Sequence, residues 1–312
     1  MLVGTGADWR NNRSFPHMFF PLHVPPEERM IAVSIWRFAS HSVVGTSHLS
    51  SGKPNQDRAT CFSVKDLMIM IIADGAGTCK KAVDGAELVV KWCKEECGIW
   101  AVTAGASAGA ALWNPDLETL VGDLFERLFA KIEDEIGIAA KAAGTDPEQF
   151  GTGACVALVA PYWLACRGIG DVACFRGSGD TWSLMNPIIK KGSAQTPAAR
   201  NVTYLFPAAA GNRSQPWRSG VMEPGDMVIL CSDGALSAFA QDIAPASIEG
   251  QYEPYLDGLR NFYGGLAPLL QPQSTASAQD WLANFVTELT TRQSDDTTIA
   301  AALSFQNAPV VT

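Results

Sequence analysis

Histidine is scarce in this sequence: there are four, and His17, His23, His41 and His48 all fall within the first fifty positions. A histidine-rich zinc or iron centre therefore cannot be assembled from distant parts of the chain. Long apolar runs are also missing. The candidates around 67–73 and 227–231 are strand-sized, well short of the roughly 18–20 residues needed to cross a bilayer. Basic charge is in deficit, 23 Lys and Arg against 32 Asp and Glu, for a net charge of -9. That balance argues against a polyanion-binding surface, so nucleic acid is not an expected partner. Residues 1–30 lack a charged start, a continuous apolar core and a small-residue cleavage site, so secretion is not indicated. Cys93 and Cys97 stand one helical turn apart, but no second Cys/His pair follows at zinc-like spacing.

What remains is a 312-residue chain, 47% apolar and 18% charged, long enough to bury one large core. Cys155, Cys166, Cys174 and Cys231 sit inside apolar, strand-like runs, where a thiol behaves as a small hydrophobe. Reduced thiols and a cytoplasmic location are the expectation. Four prolines among residues 1–30 break any helix there, so this part reads as an irregular extension. Residues 31–306 read as one domain and 307–312 as a tail.

Within the domain, 67–73 is a strand buried on both faces, ending at Asp74-Gly75-Ala76-Gly77. Helices follow over 82–97 and 116–143, the second with Leu117, Leu120, Val121, Leu124, Leu128, Ile132 and Ile136 at intervals of one face. Short strands over 154–159, 163–167, 172–176 and 181–184 read as an antiparallel meander. The stretch 187–221 has five basic residues (Lys190, Lys191, Arg200, Arg213, Arg218), no acidic one and little periodicity, and reads as a long loop or flap. A strand over 227–231 runs into Ser232-Asp233-Gly234, helices are expected near 255–263 and 278–292, and Asp295-Asp296 opens a last strand. Strands and helices mix without strict alternation, so the fold class is α+β.

The chemistry lies in carboxylates. An ionised side chain at the end of a buried strand is costly to desolvate unless a positive group meets it. Asp57, Asp74, Asp171, Asp233 and Asp295 occupy such positions, mostly beside glycine or in a turn. With histidines excluded from the strand ends, hard oxygen ligands select Mg²⁺ or Mn²⁺. Two such ions activate a bridging water and clamp a phosphoryl group. Asp84, Asp226 and Asp242 read as turn or cap residues.

The motifs now have a pattern. Asn55-Gln56-Asp57, Ala73-Asp74-Gly75-Ala76-Gly77, Gly151-Thr152-Gly153-Ala154, Gly168-Ile169-Gly170-Asp171, Cys231-Ser232-Asp233-Gly234 and Asp295-Asp296-Thr297-Thr298 resemble, in order, those of PP2C-type (PPM) metal-dependent Ser/Thr protein phosphatases. The segment from Gly45 to Asp57 is most similar to the bacterial branch. The resemblance covers about 40–303 and implies two antiparallel sheets flanked by helices in αββα layers, with a binuclear Mn²⁺ or Mg²⁺ site at one end. It implies that Asp74 bridges both ions, Gly75 lends its carbonyl to one, and Asp233 and Asp295 hold the other. Asp57 would ligate or orient metal-bound water, and Asp171 would serve a weaker third ion, with Thr152 nearby. Asp296 replaces Asp295 if the register slips by one. A phosphorylated protein substrate and a paired Ser/Thr kinase are the implied partners.

Three positions depart from that pattern. Gly52 stands where many members place a phosphate-gripping arginine, leaving Lys53 for that role. Gln56 replaces a glutamate, removing a charge near the metals. Ala76 replaces a histidine proposed as general acid, so leaving-group protonation falls to water or to His48, although His48 otherwise reads as a hydrogen-bonded loop residue. These departures keep open an alternative, a catalytically weak or inactive signalling or scaffold module of the same fold. Hydrolysis of small phosphorylated metabolites is a third reading. Gly45 to Lys53 is not a P-loop, because its glycines are seven apart and Pro54 replaces the Ser or Thr that would meet Mg²⁺.

Overall fold

Two five-stranded antiparallel sheets pack face to face, and the alternation of side chains along each strand decides what each face covers. The computed structural model describes residues 34–104, 111–186, 188, 190–191, 202–203, 205–207, 217–243, 252–271, 274 and 277–306. The first 33 residues, including the expected extension, and the tail 307–312 lie outside the described residues.

In chain order the elements are β1 (Ser34–Val43), α1 (Thr46–Ser51), β2 (Arg58–Val64), β3 (Leu67–Gly75), α2 (Ala82–Thr103), α3 (Pro115–Ala143), β4 (Thr152–Ala160), β5 (Trp163–Ile169), β6 (Ala173–Ser178) and β7 (Thr181–Leu184). Next come the two-residue strands β8 (Lys190–Lys191) and β9 (Val202–Thr203), then β10 (Arg218–Val221) and β11 (Met227–Cys231). The remainder is α4 (Asp233–Phe239), β12 (Ala240–Asp242), β13 (Tyr252–Pro254), α5 (Leu256–Leu270), α6 (Ala278–Thr290) and β14 (Thr297–Gln306). One sheet runs β1-β14-β11-β6-β7, the other β10-β5-β4-β3-β2.

The apolar run of β3 shows why the layers form. Met68, Met70 and Ile72 point between the sheets, where they meet Cys155, Cys174, Val228 and Ala300. Leu67, Ile69, Ile71 and Ala73 point the other way, against α2 and α3. A matching cluster joins β11 and β14 to α4, α5 and α6 through Ile229, Phe239, Phe262 and Val286. The result is an αββα stack, as expected of the α+β reading. The helix α3 is fixed at both ends: the Asn114 side chain accepts from the Leu117 amide, Pro115 opens the first turn, and Gly144 closes it at φ 63°. All eight cysteines are free, and Cys93 and Cys97 are buried in the helix layer.

Two expectations need correction. The strands between 152 and 184 do not form one meander. β4 and β5 pair in one sheet, whereas β6 and β7 pair in the other. Gly170, at φ 94°, takes the left-handed conformation that lets the chain cross between sheets. Nor is the stretch 187–221 wholly a loop. Arg218–Val221 adds an edge strand to β5, β8 pairs with β9, and Phe206 is buried against Phe129, with ring centroids 5.0 Å apart. Apolar side chains at Phe206 and Trp217 supply the anchors that its weak periodicity conceals. Arg200, Arg213 and the side chains of Lys190 and Lys191 lie outside the described residues.

Candidate metal centre

Antiparallel register brings the motifs to one pole. Gly75 at the end of β3 pairs with Thr152 at the start of β4, and Arg58 at the start of β2 pairs with Ala73. In the other sheet, Cys231 at the end of β11 pairs with Ile299, and Val43 at the end of β1 pairs with Thr297. The crossover after β5 delivers Asp171 to the same end. Residues separated by more than two hundred positions thus share one rim.

Asp74, Asp171 and Asp233 each offer a carboxylate oxygen, and these three atoms lie within 4.8 Å of one another. The Asp233 amide, at the first turn of α4, donates to Asp74 Oδ2 at 3.3 Å. Burial and then the negative charges of Asp57, Asp233, Asp171 and Asp295 push the Asp74 carboxyl well above its ordinary range. All five expected aspartates are therefore electrostatic neighbours. Asp57 is buried, and burial lifts it from 3.8 to about 7, with Asp296 and Asp295 adding to the rise. Hydrogen bonds with the Ser232 and Thr298 side chains act in the opposite direction. Its Oδ2 is buried without a hydrogen-bond partner. Like charges crowded at this depth, with an orphaned carboxylate oxygen among them, fit a divalent cation.

The acidic pair at 295–296 divides its labour. Asp296, 2% exposed, accepts from the Gly45 amide at 2.7 Å and the Gln56 amide at 2.6 Å. Both of its oxygens hold backbone. Asp295 is about half exposed, with a side-chain exposure of 53%, and its charge is felt by Asp74 and Asp57. The Asp296 amide donates to Asp295 Oδ1 at 2.9 Å.

Glycine permits these approaches. A side chain at Gly75 would meet the Gln56 carbonyl at 2.8 Å, and one at Gly234 would collide with the Asp296 carbonyl. Lys53 reaches across the mouth: its Nζ donates to the Gly77 carbonyl at 3.0 Å, and Gly52 before it caps α1 at φ 67°. Thr152 is buried and donates to the Phe150 carbonyl at 2.9 Å, beside the pole. Gln56 carries a buried Oε1 without a partner, and the Ala76 amide donates to the Gly151 carbonyl at 2.9 Å.

Sequence reasoning passed over the polar scaffold behind the aspartates. Thr298 Oγ1 donates to Ser42 Oγ at 2.6 Å, Asn55 Nδ2 donates to the same oxygen at 2.7 Å, and the Thr298 amide donates to Ser232 Oγ at 3.0 Å. The signal was available, since Ser232, Thr298 and Asn55 flank the aspartates within the motifs.

An acidic pole on a two-sheet αββα sandwich has the makings of a divalent-metal centre. The particular family follows from comparison: the chain belongs to the protein phosphatase 2C family, whose model matches residues 44–287, and it is thus a protein-serine/threonine phosphatase by family. No curated protein matches it. Among solved structures, it is similar to PppA, described as a key regulatory component of T6SS in Pseudomonas aeruginosa, at 18% identity and TM-score 0.54, covering 87% of this chain and 100% of that one. The S. agalactiae serine/threonine phosphatase matches at 15% identity and TM-score 0.58, with coverages of 86% and 99%. The catalytic domain of the phosphatase PstP, in complex with two manganese ions, matches at 16% identity and TM-score 0.54, with coverages of 87% and 99%. At such identities the likeness is one of fold.

Proposed function

We propose that the chain hydrolyses phosphoserine and phosphothreonine in proteins at a binuclear Mn²⁺ or Mg²⁺ site on the acidic pole. The observation that carries this reading is the meeting of carboxylate oxygens of Asp74, Asp171 and Asp233 within 4.8 Å of one another, with the charges of Asp57 and Asp295 also bearing on Asp74. When bound, a pair of divalent ions supplies a nucleophilic water at neutral pH and neutralises charge on the phosphoryl oxygens. Asp74 and the Gly75 carbonyl would hold one ion, Asp74 with Asp233 and Asp295 the other, and Asp171 a weaker third. Asp57, buried and backed by Ser232 and Thr298, would ligate a metal ion or orient its water at the floor of the pole. Lys53, exposed at the mouth, is the cation available to meet the incoming phosphate.

A phosphoprotein substrate and a kinase that makes it are the partners this chemistry requires. The complex of the PstP catalytic domain with two manganese ions makes Mn²⁺ the first ion to test here. The catalytic domain is taken as 31–306, with 1–30 an extension and 307–312 a tail. Action in the cytoplasm is part of the proposal; among the described residues no helix is long and apolar enough to cross a membrane.

The test is Mn²⁺-dependent phosphate release from a phosphothreonine peptide by the full chain. Turnover that needs Mn²⁺ or Mg²⁺ and disappears with EDTA is expected. Lack of turnover with any divalent ion contradicts the proposal. One observation favours a second reading, a non-catalytic module: the pole carries the neutral Gln56, its buried Oε1 without a partner, and Ala76, which has no proton to give a leaving group. That module would bind a phosphopeptide without cleaving it.

A further inference from the structure

His48 lies in the segment leading to Asp57 and reads from sequence as a loop residue or a proton donor, yet α1 carries it in among the carboxylates of Asp295 and Asp296. It is 6% exposed. Its Nδ1 lies 2.9 Å from Asp296 Oδ1 but is poorly aligned and has no hydrogen-bond partner. Its Nε2 lies 3.9 Å from Asp295 Oδ1, beyond hydrogen-bond reach. His48, Asp295 and Asp296 each offer a ligand-type atom within 4.8 Å of the other two. An unsatisfied imidazole buried among carboxylates requires a reason.

The geometry points to His48 as a nitrogen ligand, through Nε2, of the ion that Asp295 holds. This rests on the reading of the pole as a metal centre. Neighbouring ligands about 2.0–2.2 Å from one ion stand roughly 3–3.6 Å apart, so Nε2 and Asp295 Oδ1, 3.9 Å apart, reach a shared ion by closing a few tenths of an ångström, roughly. Both buried Asp296 oxygens accept from the amides of Gly45 and Gln56, whereas Asp295 accepts the Asp296 amide at Oδ1 and stands half exposed. Asp296 Oδ1 lies 2.9 Å behind Nδ1, in charge contact with the ring but not aligned to hydrogen-bond it. The half-exposed Asp295 leaves solvent to complete the coordination. The loop at Gly77 passes close over this nitrogen, where a Cβ would stand 3.5 Å from His48 Nε2 in ordinary contact. The chemical consequence is selectivity. Nitrogen ligation favours Mn²⁺, and later transition ions more strongly, over Mg²⁺, which an all-oxygen site would not discriminate in this way.

The experiment is pulsed electron paramagnetic resonance of the full chain loaded with Mn²⁺, together with Mn²⁺ and Mg²⁺ affinities by calorimetry. Echo modulation from a directly bound imidazole nitrogen, lost in a folded His48→Gln variant, supports the assignment. Mn²⁺ affinity at least roughly 10-fold above that for Mg²⁺, narrowed by the same substitution, supports it as well. Bound Mn²⁺ without nitrogen modulation, modulation that survives in His48→Gln, or equal wild-type affinities for the two ions overturns His48 as a ligand while leaving the acidic centre standing. Failure of the wild-type chain to bind Mn²⁺ at all overturns both. If the variant does not fold, the wild-type spectrum still decides whether an imidazole nitrogen is bound, His48 being the histidine grouped with these carboxylates.

Discussion

Asp295 and Asp296 are adjacent and chemically identical, and their surroundings give them different work. Asp296 accepts two backbone amides from segments more than two hundred residues away and ties the start of β14 to α1 and to the strand leading into β2. In Asp296→Asn one oxygen becomes a donor facing an amide donor. Urea denaturation is expected to register a loss of about 2–3 kcal/mol, the cost of an unsatisfied buried group. Asp295→Asn, exposed to solvent, should change stability by no more than about 0.5 kcal/mol while lowering Mn²⁺ affinity in calorimetry. Equal destabilisation by the two would refute the division. Asp74→Asn and Asp233→Asn strike the centre itself, and a loss of at least roughly 100-fold in metal-dependent turnover is expected. Unchanged turnover in either would remove its carboxylate from the mechanism.

Elements are placed by a few close contacts. The first turn of α4 backs onto the 296 carbonyl, so the glycine in Asp233-Gly234 answers a packing demand. Gly234→Ala should push α4 away from β14 and cost roughly 2–3 kcal/mol by the same denaturation assay, with metal affinity falling as Asp233 moves. A neutral result would mean that this contact is loose. Much of the element plan was legible: strands 181–184 and 227–231 and the long helix near 116–143 carry their periodicity openly. So was the candidate set, because Asp74 and Asp233 close apolar strands with the same Asp-Gly grammar. Two kinds of feature were not. The jump from β5 to β6 depends on one left-handed glycine, and local alternation cannot say which sheet a strand joins. His48 lay in a six-residue helix with no amphipathic signal, and its meeting with Asp295 is a consequence of tertiary closure that spacing cannot encode.

For the whole molecule, the crowded pole makes stability depend on pH and on metal. Asp57 titrates near 7 when folded against 3.8 ordinarily, and Asp74 shifts in the same direction. A raised carboxyl means that the folded, metal-free state binds more protons than the unfolded one. The contribution of these groups is thus most favourable below about 4 and is lost as pH rises toward about 7. Divalent ions replace the missing positive charge. The thermal midpoint gained on adding Mn²⁺ should therefore grow between pH 5 and 8, conditions chosen to span that window, roughly. A gain that is flat or falls across the window would show that the carboxylates are not relieved by the ion.

The most direct test of the account is a crystal of the full chain grown with Mn²⁺ and examined by anomalous scattering. Two peaks about 3.5–4 Å apart, bridged by Asp74 and flanked by Asp233 and Asp295, are the expected result. An anomalous map without peaks at that pole, or with manganese bound only elsewhere on the surface, would contradict it.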